Sequence, residues 1–158
     1  MQKILLVLLT FISINNLAKA QSANSNTVFF EVGGPGLASF NYDTRFTKTS
    51  TGWGGRIGIG GFGDRDESVI TIPIGINFIT SGDNRNFFEV GINHTFVKAE
   101  SPIFDFGNFN SISFSTLNFG YRKQPIKNGF VFRAAINPII TNGSFNPFYF
   151  GIAFGYKF

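Results

Sequence analysis

From Thr27 to the last residue, Phe158, large apolar side chains recur at every second position, in runs of about ten residues. The clearest run is the last, Phe148 to Phe158. There Phe148, Phe150, Ile152, Phe154, Tyr156 and Phe158 alternate with Tyr149, Gly151, Ala153, Gly155 and Lys157. Successive side chains of a strand point to opposite faces, so this run has one continuous apolar face and one face of small or polar residues. A helix would scatter the same residues around its circumference. A lone strand leaves its backbone groups unpaired, so further strands must flank this one.

Seven earlier runs supply them. Thr27 to Gly33 sets Val28, Phe30 and Val32 against Phe29 and Glu31, and Leu37 to Thr47 sets Phe40, Tyr42 and Phe46 against Ser39, Asn41, Asp43 and Arg45. Trp53 to Phe62 sets Trp53, Ile57 and Ile59 against Gly54, Arg56, Gly58 and Gly60. Ser68 to Thr80 alternates Ile70, Ile72, Ile74, Ile76 and Phe78 with Thr71, Pro73, Gly75 and Asn77. Pro73 lacks a ladder donor and predicts a bulge or local distortion. Phe87 to Lys98 carries Phe88, Val90, Ile92, His94 and Phe96 opposite Glu89, Gly91, Asn93 and Thr95. Ser111 to Arg122 sets Leu117, Phe119 and Tyr121 against Thr116, Asn118, Gly120 and Arg122. Ile112 and Phe114 fall on the other parity there, which predicts a bulge or a portion projecting beyond the rest. Phe130 to Ile140 alternates Phe130, Phe132, Ala134, Ile136 and Pro138 with Arg133, Ala135 and Asn137. Turn residues separate the runs, as at Gly33-Gly34-Pro35-Gly36. Phe (22) and Gly (19) are abundant in the chain, which also favours strands over helices.

The first twenty residues read differently. Lys3 precedes an apolar core, Ile4 to Ile14, and Ala18-Lys19-Ala20 offers small residues at both positions that a signal peptidase inspects. This pattern predicts an export signal removed before Gln21, too short and wrongly flanked for a membrane span, with a retained amino-terminal anchor as the alternative. The domain plan is a signal at 1–20, a polar leader at 21–26 and one domain at 27–158. No cysteine is present, so disulfides, thiolate metal sites and a lipid-anchored cysteine are excluded. Lys3 and Lys19 leave with the signal, and the net charge of +4 falls accordingly. With no basic run, nucleic-acid binding is unsupported.

Alternation does not say which face meets water. A soluble lipocalin-like carrier points its apolar residues inward, whereas a membrane barrel points them at lipid. The polar face decides between them. It carries Gly54, Gly58, Gly60, Gly75, Gly91, Gly120, Gly151 and Gly155, which suit a crowded interior and weaken a solvated strand. Charged residues make up 14% of the chain, against roughly 25–35% for a soluble surface. The expected fold is all-β: an eight-stranded antiparallel up-and-down transmembrane β-barrel, its first strand closing on its last. Runs of about ten residues match a tilted membrane strand.

The stretches FFEVGGPGLASFNYDTRF, TIPIGINF, FFEVGINHTF, LNFGYRKQP, FVFRAAINP and FGIAFGYKF together resemble the small eight-stranded outer-membrane β-barrels of Gram-negative bacteria. The resemblance covers the whole chain after the signal. It implies residence in the outer membrane, contact with outer-membrane lipid and lipopolysaccharide, and handling by the barrel-assembly machinery. Phe154, Tyr156 and Phe158 would belong to the signal that the machinery reads. It implies almost nothing about activity, and no cofactor. A monomer is expected.

Several residue groups follow from this reading. Glu31, Asp43, Arg45, Arg56, Glu89, Arg122, Arg133 and Lys157 share the inner face and must pair, because an isolated buried charge costs several kcal/mol. The expectation is a network with Glu89 among the arginines near the periplasmic end, Lys157 paired with Glu89 or a neighbouring acid, and Tyr149, Asn77, Asn93, Asn118 and Asn137 filling gaps. Such a network is either an ion path or a plug, and eight strands leave no aqueous channel once filled. Trp53, Phe46, Phe88, Tyr121 and Phe130 gather at the periplasmic membrane edge with Tyr156 and Phe158, and Phe40, Phe96 and Phe148 at the outer edge.

Gly33–Gly36, Gly63–Glu67, Ala99–Asn110 and Thr141–Pro147 are the expected cell-surface connections. Acids (Asp64, Asp66, Glu67, Glu100, Asp105) dominate the outer rim, and Lys48, Arg85, Lys123 and Lys127 outweigh Asp83 at the inner one. An acidic rim suits either cation-bridged contact with lipopolysaccharide or ordinary solvated loops. Ile103, Phe104, Phe106 and Phe109 make the longest loop a candidate docking surface. His94, the one histidine, faces lipid, and no serine lies beside it in sequence, so catalysis is not expected. No metal cluster or phosphate-binding loop is present. The alternatives are a lipid-modifying outer-membrane enzyme and a soluble lipocalin-like carrier.

Overall fold

The computed structural model describes residues 25–47, 49–63, 68–81, 83, 85–99, 112–141 and 143–158. All regular structure among them is strand: β1 (Asn26–Gly33), β2 (Ala38–Arg45), β3 (Gly52–Gly63), β4 (Ser68–Ser81), β5 (Asn86–Ala99), β6 (Ile112–Lys123), β7 (Gly129–Ile136), β8 (Ile139–Thr141), β9 (Ser144–Asn146) and β10 (Phe150–Lys157). All pairings are antiparallel: β1 to β6 each pair with the next in sequence, β8 pairs with β6, β10 pairs with β7, and β1 pairs with β10, so the sheet closes. The closing ladder runs from Thr27 opposite Lys157 to Gly33 opposite Gly151. It extends to the terminal residue, whose N–H donates to the Asn26 carbonyl at 2.9 Å.

The ten segments make eight staves. β7 and β8 share one register on β6, with Phe119 opposite Ile136 and Ser115 opposite Ile140. The ladder lapses between them at Asn137-Pro138 because proline has no N–H. Its carbonyl still accepts from the Leu117 N–H at 3.0 Å. β9 pairs with β8, and β10 takes up β7 after 147–149 with the register slipped. Part of the expected Thr141–Pro147 connection is therefore sheet.

No bulge occurs in β6. Its pairing on β5 runs unbroken from Asn86 opposite Lys123 to Val97 opposite Ile112, so Phe114 is simply an inner-face residue near the far rim. At Pro73 the β3 pairing skips and then resumes in the same register. Followed partner by partner, from Gly33 through Gly151, Ala135, Gly120, Glu89 and Ile79 to Gly52 and on through β2, the register returns to β1 about ten residues lower. That stagger tilts the strands by about 35–45° and leaves an interior just wide enough for side chains.

The surface is inverted relative to a water-soluble protein. Val32, Phe40, Phe46, Trp53, Ile57, Ile59, Phe88, Ile92, Phe130, Phe150, Phe154 and Tyr156 are all exposed, while Glu31, Asp43, Arg45, Arg56, Glu89, Arg122 and Arg133 are buried. The expected signal, the Ala99–Asn110 loop beyond Ala99 with Ile103, Phe104, Phe106 and Phe109, and the loop residues 64–67 with Asp64, Asp66 and Glu67 lie outside the described residues.

Candidate functional site

Alternation delivers the polar face of every stave into the lumen, and glycine makes the room. A Cβ at Gly54 would run into the Arg45 guanidinium, one at Gly58 into Asn41, and one at Gly75 into Asn93. The half of the lumen nearer the chain ends holds one connected network. Arg45 Nη2 donates to both Asp43 oxygens at 2.7 Å and to Asn77 Oδ1 at 2.5 Å. The Asn77 amide donates to Asp43 at 2.6 Å and to Glu89 at 3.0 Å. Arg122 reaches Asp43 at 3.2 Å, Glu89 at 3.4 Å and Thr27 Oγ1 at 2.8 Å. Arg133 grips Glu89 through two nitrogens, Nε at 3.1 Å and Nη2. These residues come from β1, β2, β4, β5, β6 and β7, so the network ties the staves across the bore.

A second pair lies beside it. Arg56 donates to Glu31 at 2.6 Å and to Asn41 at 2.7 Å. Phe29 joins the two groups. Its ring sits 4.2 Å from the Arg133 guanidinium carbon and 5.2 Å from that of Arg56. Guanidinium over an aromatic face is favourable, and more so when desolvated. Phe29, with Ile79, Phe87 and Val131, is buried on the lumen face. The sequence puts Phe29 on this face without a role; its inward parity is the one signal there.

Lys157 departs from expectation. It pairs with no carboxylate among the described residues. Its ammonium donates to Ser50 Oγ at 2.6 Å and to the carbonyls of Pro125 and Ile126 at 3.0 and 2.9 Å. Lys157 is the last inward residue of the last strand, beyond the level of Glu89. It draws the β2–β3 and β6–β7 turns over the bore. Gln124, 1% exposed, adds a bond to the Ser50 carbonyl at 3.0 Å.

The other end is closed by backbone. Gly34, Pro35 and Gly36, expected on the cell surface, are buried. Thr71 donates to the Gly36 carbonyl at 2.7 Å and Thr95 to the Pro35 carbonyl at 2.8 Å, from strands across the mouth. The turn tucks inward because Gly33 and Gly34 take φ of 72° and 74°, the left-handed region open to glycine. Below it the Glu31 carboxylate, held by Arg56, lies against Gly34, and the rest of the fill is neutral: Asn118 donates to Asn137 at 2.8 Å, and Asn93 to Thr116 at 3.4 Å. Tyr149 is half-buried at this rim.

On the outer face, Trp53, Phe46, Phe88, Tyr121 and Phe130 are exposed towards the end that carries the termini, with Phe154, Tyr156 and Phe158. His94 is also on this face, half-buried. Its Nδ1 lies 3.1 Å from Ser115 Oγ, and its ring stands edge-on to Phe96 at 4.8 Å. The sequence shows no serine beside His94, but the β5–β6 register puts Ser115 directly opposite. Among the described residues no carboxylate bonds the imidazole, and no group of His, Asp and Glu is placed to hold a metal ion.

A closed antiparallel barrel of eight staves, with charge inside and an apolar coat, defines the class of small membrane-type β-barrels. Two solved structures share the fold. The N-terminal β-barrel domain of Pseudomonas aeruginosa OprF superposes with a TM-score of 0.52 at 11% identity, over 85% of this chain and 96% of that one. The Yersinia pestis outer membrane protein Ail gives 0.51 at 16% identity, over 87% and 100%. The fold is that of outer-membrane barrels. No protein-family model matches the chain, nor does any curated protein.

Proposed function

We propose that the chain is an integral outer-membrane β-barrel with a side-chain-filled lumen, whose role is structural or one of surface contact through its extracellular loops. The observation that carries this is the inversion of its surfaces. Arg45, Asp43, Glu89 and Arg122 are at most 2% exposed, while Trp53 and Phe130 are 58% and 63% exposed. Lipid can cover that apolar coat and water cannot do so favourably. The same inversion argues against a lipocalin-like carrier, which needs an apolar cavity where this chain has ion pairs. In this reading residues 1–20 direct export, the chain ends are periplasmic, and the assembly machinery reads Phe154, Tyr156 and Phe158. Outer-membrane lipid and lipopolysaccharide surround a monomer.

The experiment is fractionation of cells expressing the full chain, with gel migration compared before and after boiling. The prediction is outer-membrane recovery and a faster-migrating unboiled band. Planar bilayers containing the barrel should show no stable conductance. Recovery in a soluble fraction, or an ohmic pore, would overturn the reading.

The His94–Ser115 contact supports a second reading, a lipid-modifying enzyme. Base and nucleophile are within reach on a lipid-facing wall. Without a carboxylate partner among the described residues, a polar pair without chemistry is the favoured account. Release of acyl chains from lipid A, abolished in both His94→Ala and Ser115→Ala, would reverse that preference.

A further inference from the structure

At the end bearing the termini, Arg85 and the β6–β7 turn line an open cavity of about 350 Å3. Its lining joins two cations, Arg85 and Lys123, to the apolar surfaces of Pro125, Ile126 and Phe130. The frame is fixed. The Gln124 N–H donates to the Arg85 carbonyl at 3.0 Å, and the Gln124 amide to the Ser50 carbonyl at 3.0 Å. Asp83, the acid of the same turn, is engaged by the Arg85 and Asn86 N–H groups at 3.1 and 2.7 Å and by the Asn86 amide at 2.6 Å. Among the described residues no ion pair neutralises Arg85 or Lys123. The cavity opens beside the aromatic band, where Phe88 stands opposite Tyr121 and Phe130 opposite Tyr156.

Two unneutralised cations above an apolar floor suit an amphiphile with phosphate at its head. The cations meet the phosphate, and Ile126 and Phe130 meet the glycerol and first methylenes. Free phosphate would use only half of that lining. We infer that this cavity holds the headgroup of an anionic glycerophospholipid of the periplasmic leaflet. The inference rests on the membrane-spanning reading above.

The test uses the barrel refolded into vesicles of phosphatidylcholine with a minor share of phosphatidylglycerol. It is then released in mild detergent, and retained lipid is counted by native mass spectrometry. One phosphatidylglycerol should be retained in preference to phosphatidylcholine. Each cation near an anionic lipid surface contributes about 1 kcal/mol, so Arg85→Gln and Lys123→Gln should each lower retention about fivefold, and together about twenty-five-fold. Lys127→Gln, a neighbouring cation outside the lining, should change nothing. Equal retention of the two lipids, or full retention in the double variant, would overturn the inference. So would displacement of the lipid by inorganic phosphate at matched concentration, because the ligand would then be a free anion. Heat-modifiable migration on the same samples separates the two readings. A barrel that enters vesicles yet holds no phosphatidylglycerol defeats only this inference; one that never enters them defeats the membrane reading and this with it.

Discussion

The two halves of the lumen are closed by different chemistry. Towards the chain ends, Arg45, Arg122 and Arg133 converge on Asp43 and Glu89, with Asn77 bridging the acids. Towards the far end, neutral hydroxyls of Thr71 and Thr95 hold an inward-folded turn by its carbonyls. A buried charge with its partner removed destabilises by about 3–5 kcal/mol. A neutral hydrogen bond contributes about 1 kcal/mol net. The near half therefore ties the barrel together, and the far half is a lid on a structure already made. Wild-type stability in vesicles should be governed by the former.

The largest expected effect follows from Glu89, which serves Arg122, Arg133 and Asn77 at once. Glu89→Ala should lower unfolding stability by about 3–5 kcal/mol, measured by guanidinium titration of the reconstituted barrel. A loss under 1 kcal/mol would remove the distinction between the halves. Gly34→Val comes next. Gly34 has φ of 74°, and a Cβ there would come within 2.7 Å of the Glu31 carboxyl carbon. The lid should be displaced for about 1–3 kcal/mol, with faster amide exchange at Gly36 and Leu37 and unchanged exchange at Glu89. Thr95→Val, which leaves the Pro35 carbonyl short of a donor, should cost about 1 kcal/mol with the same local signature.

The smallest effect lies outside the lumen. The backbone N–H and side chain of Asn86, then the Arg85 N–H, hold the exposed Asp83 carboxyl below its ordinary value of 3.8. A depressed carboxyl stabilises the fold above its unfolded pKa and loses that contribution as pH falls through the folded one. Acidification below the ordinary aspartate range should loosen this turn slightly in the wild type and leave Asp83→Asn unaffected. Amide exchange at Arg85 and Asn86 against pH is the measurement.

Strand number, antiparallel closure and the residues of each face were legible because strand side chains alternate with period two. That period says nothing about register, which sets who stands opposite whom. Hence Ser115 opposite His94 was invisible until β5 and β6 were paired. The parity of Lys157 points it inward and it is buried, but its partners are a turn serine and turn carbonyls, and a turn's path is not written in alternation. The GGPG stretch announced a turn; whether it folds outward or into the bore depends on threonines from strands across the mouth. Pro138 reads as an ordinary outward position, and its missing N–H splits a stave that otherwise keeps its register. Local chemistry was readable, and contacts across the bore were not.

The central claim is the inversion: charge within, lipid without. The chain has one tryptophan, Trp53, 58% exposed on the outer face near the terminal end. Its fluorescence in vesicles of lipids brominated at defined depths tests the claim directly. Strong quenching by bromines near the headgroup end of the acyl chain, weaker quenching by bromines near the tail, and protection from aqueous acrylamide are predicted. Indifference to lipid bromine with full quenching by acrylamide would place Trp53 in water and contradict the account.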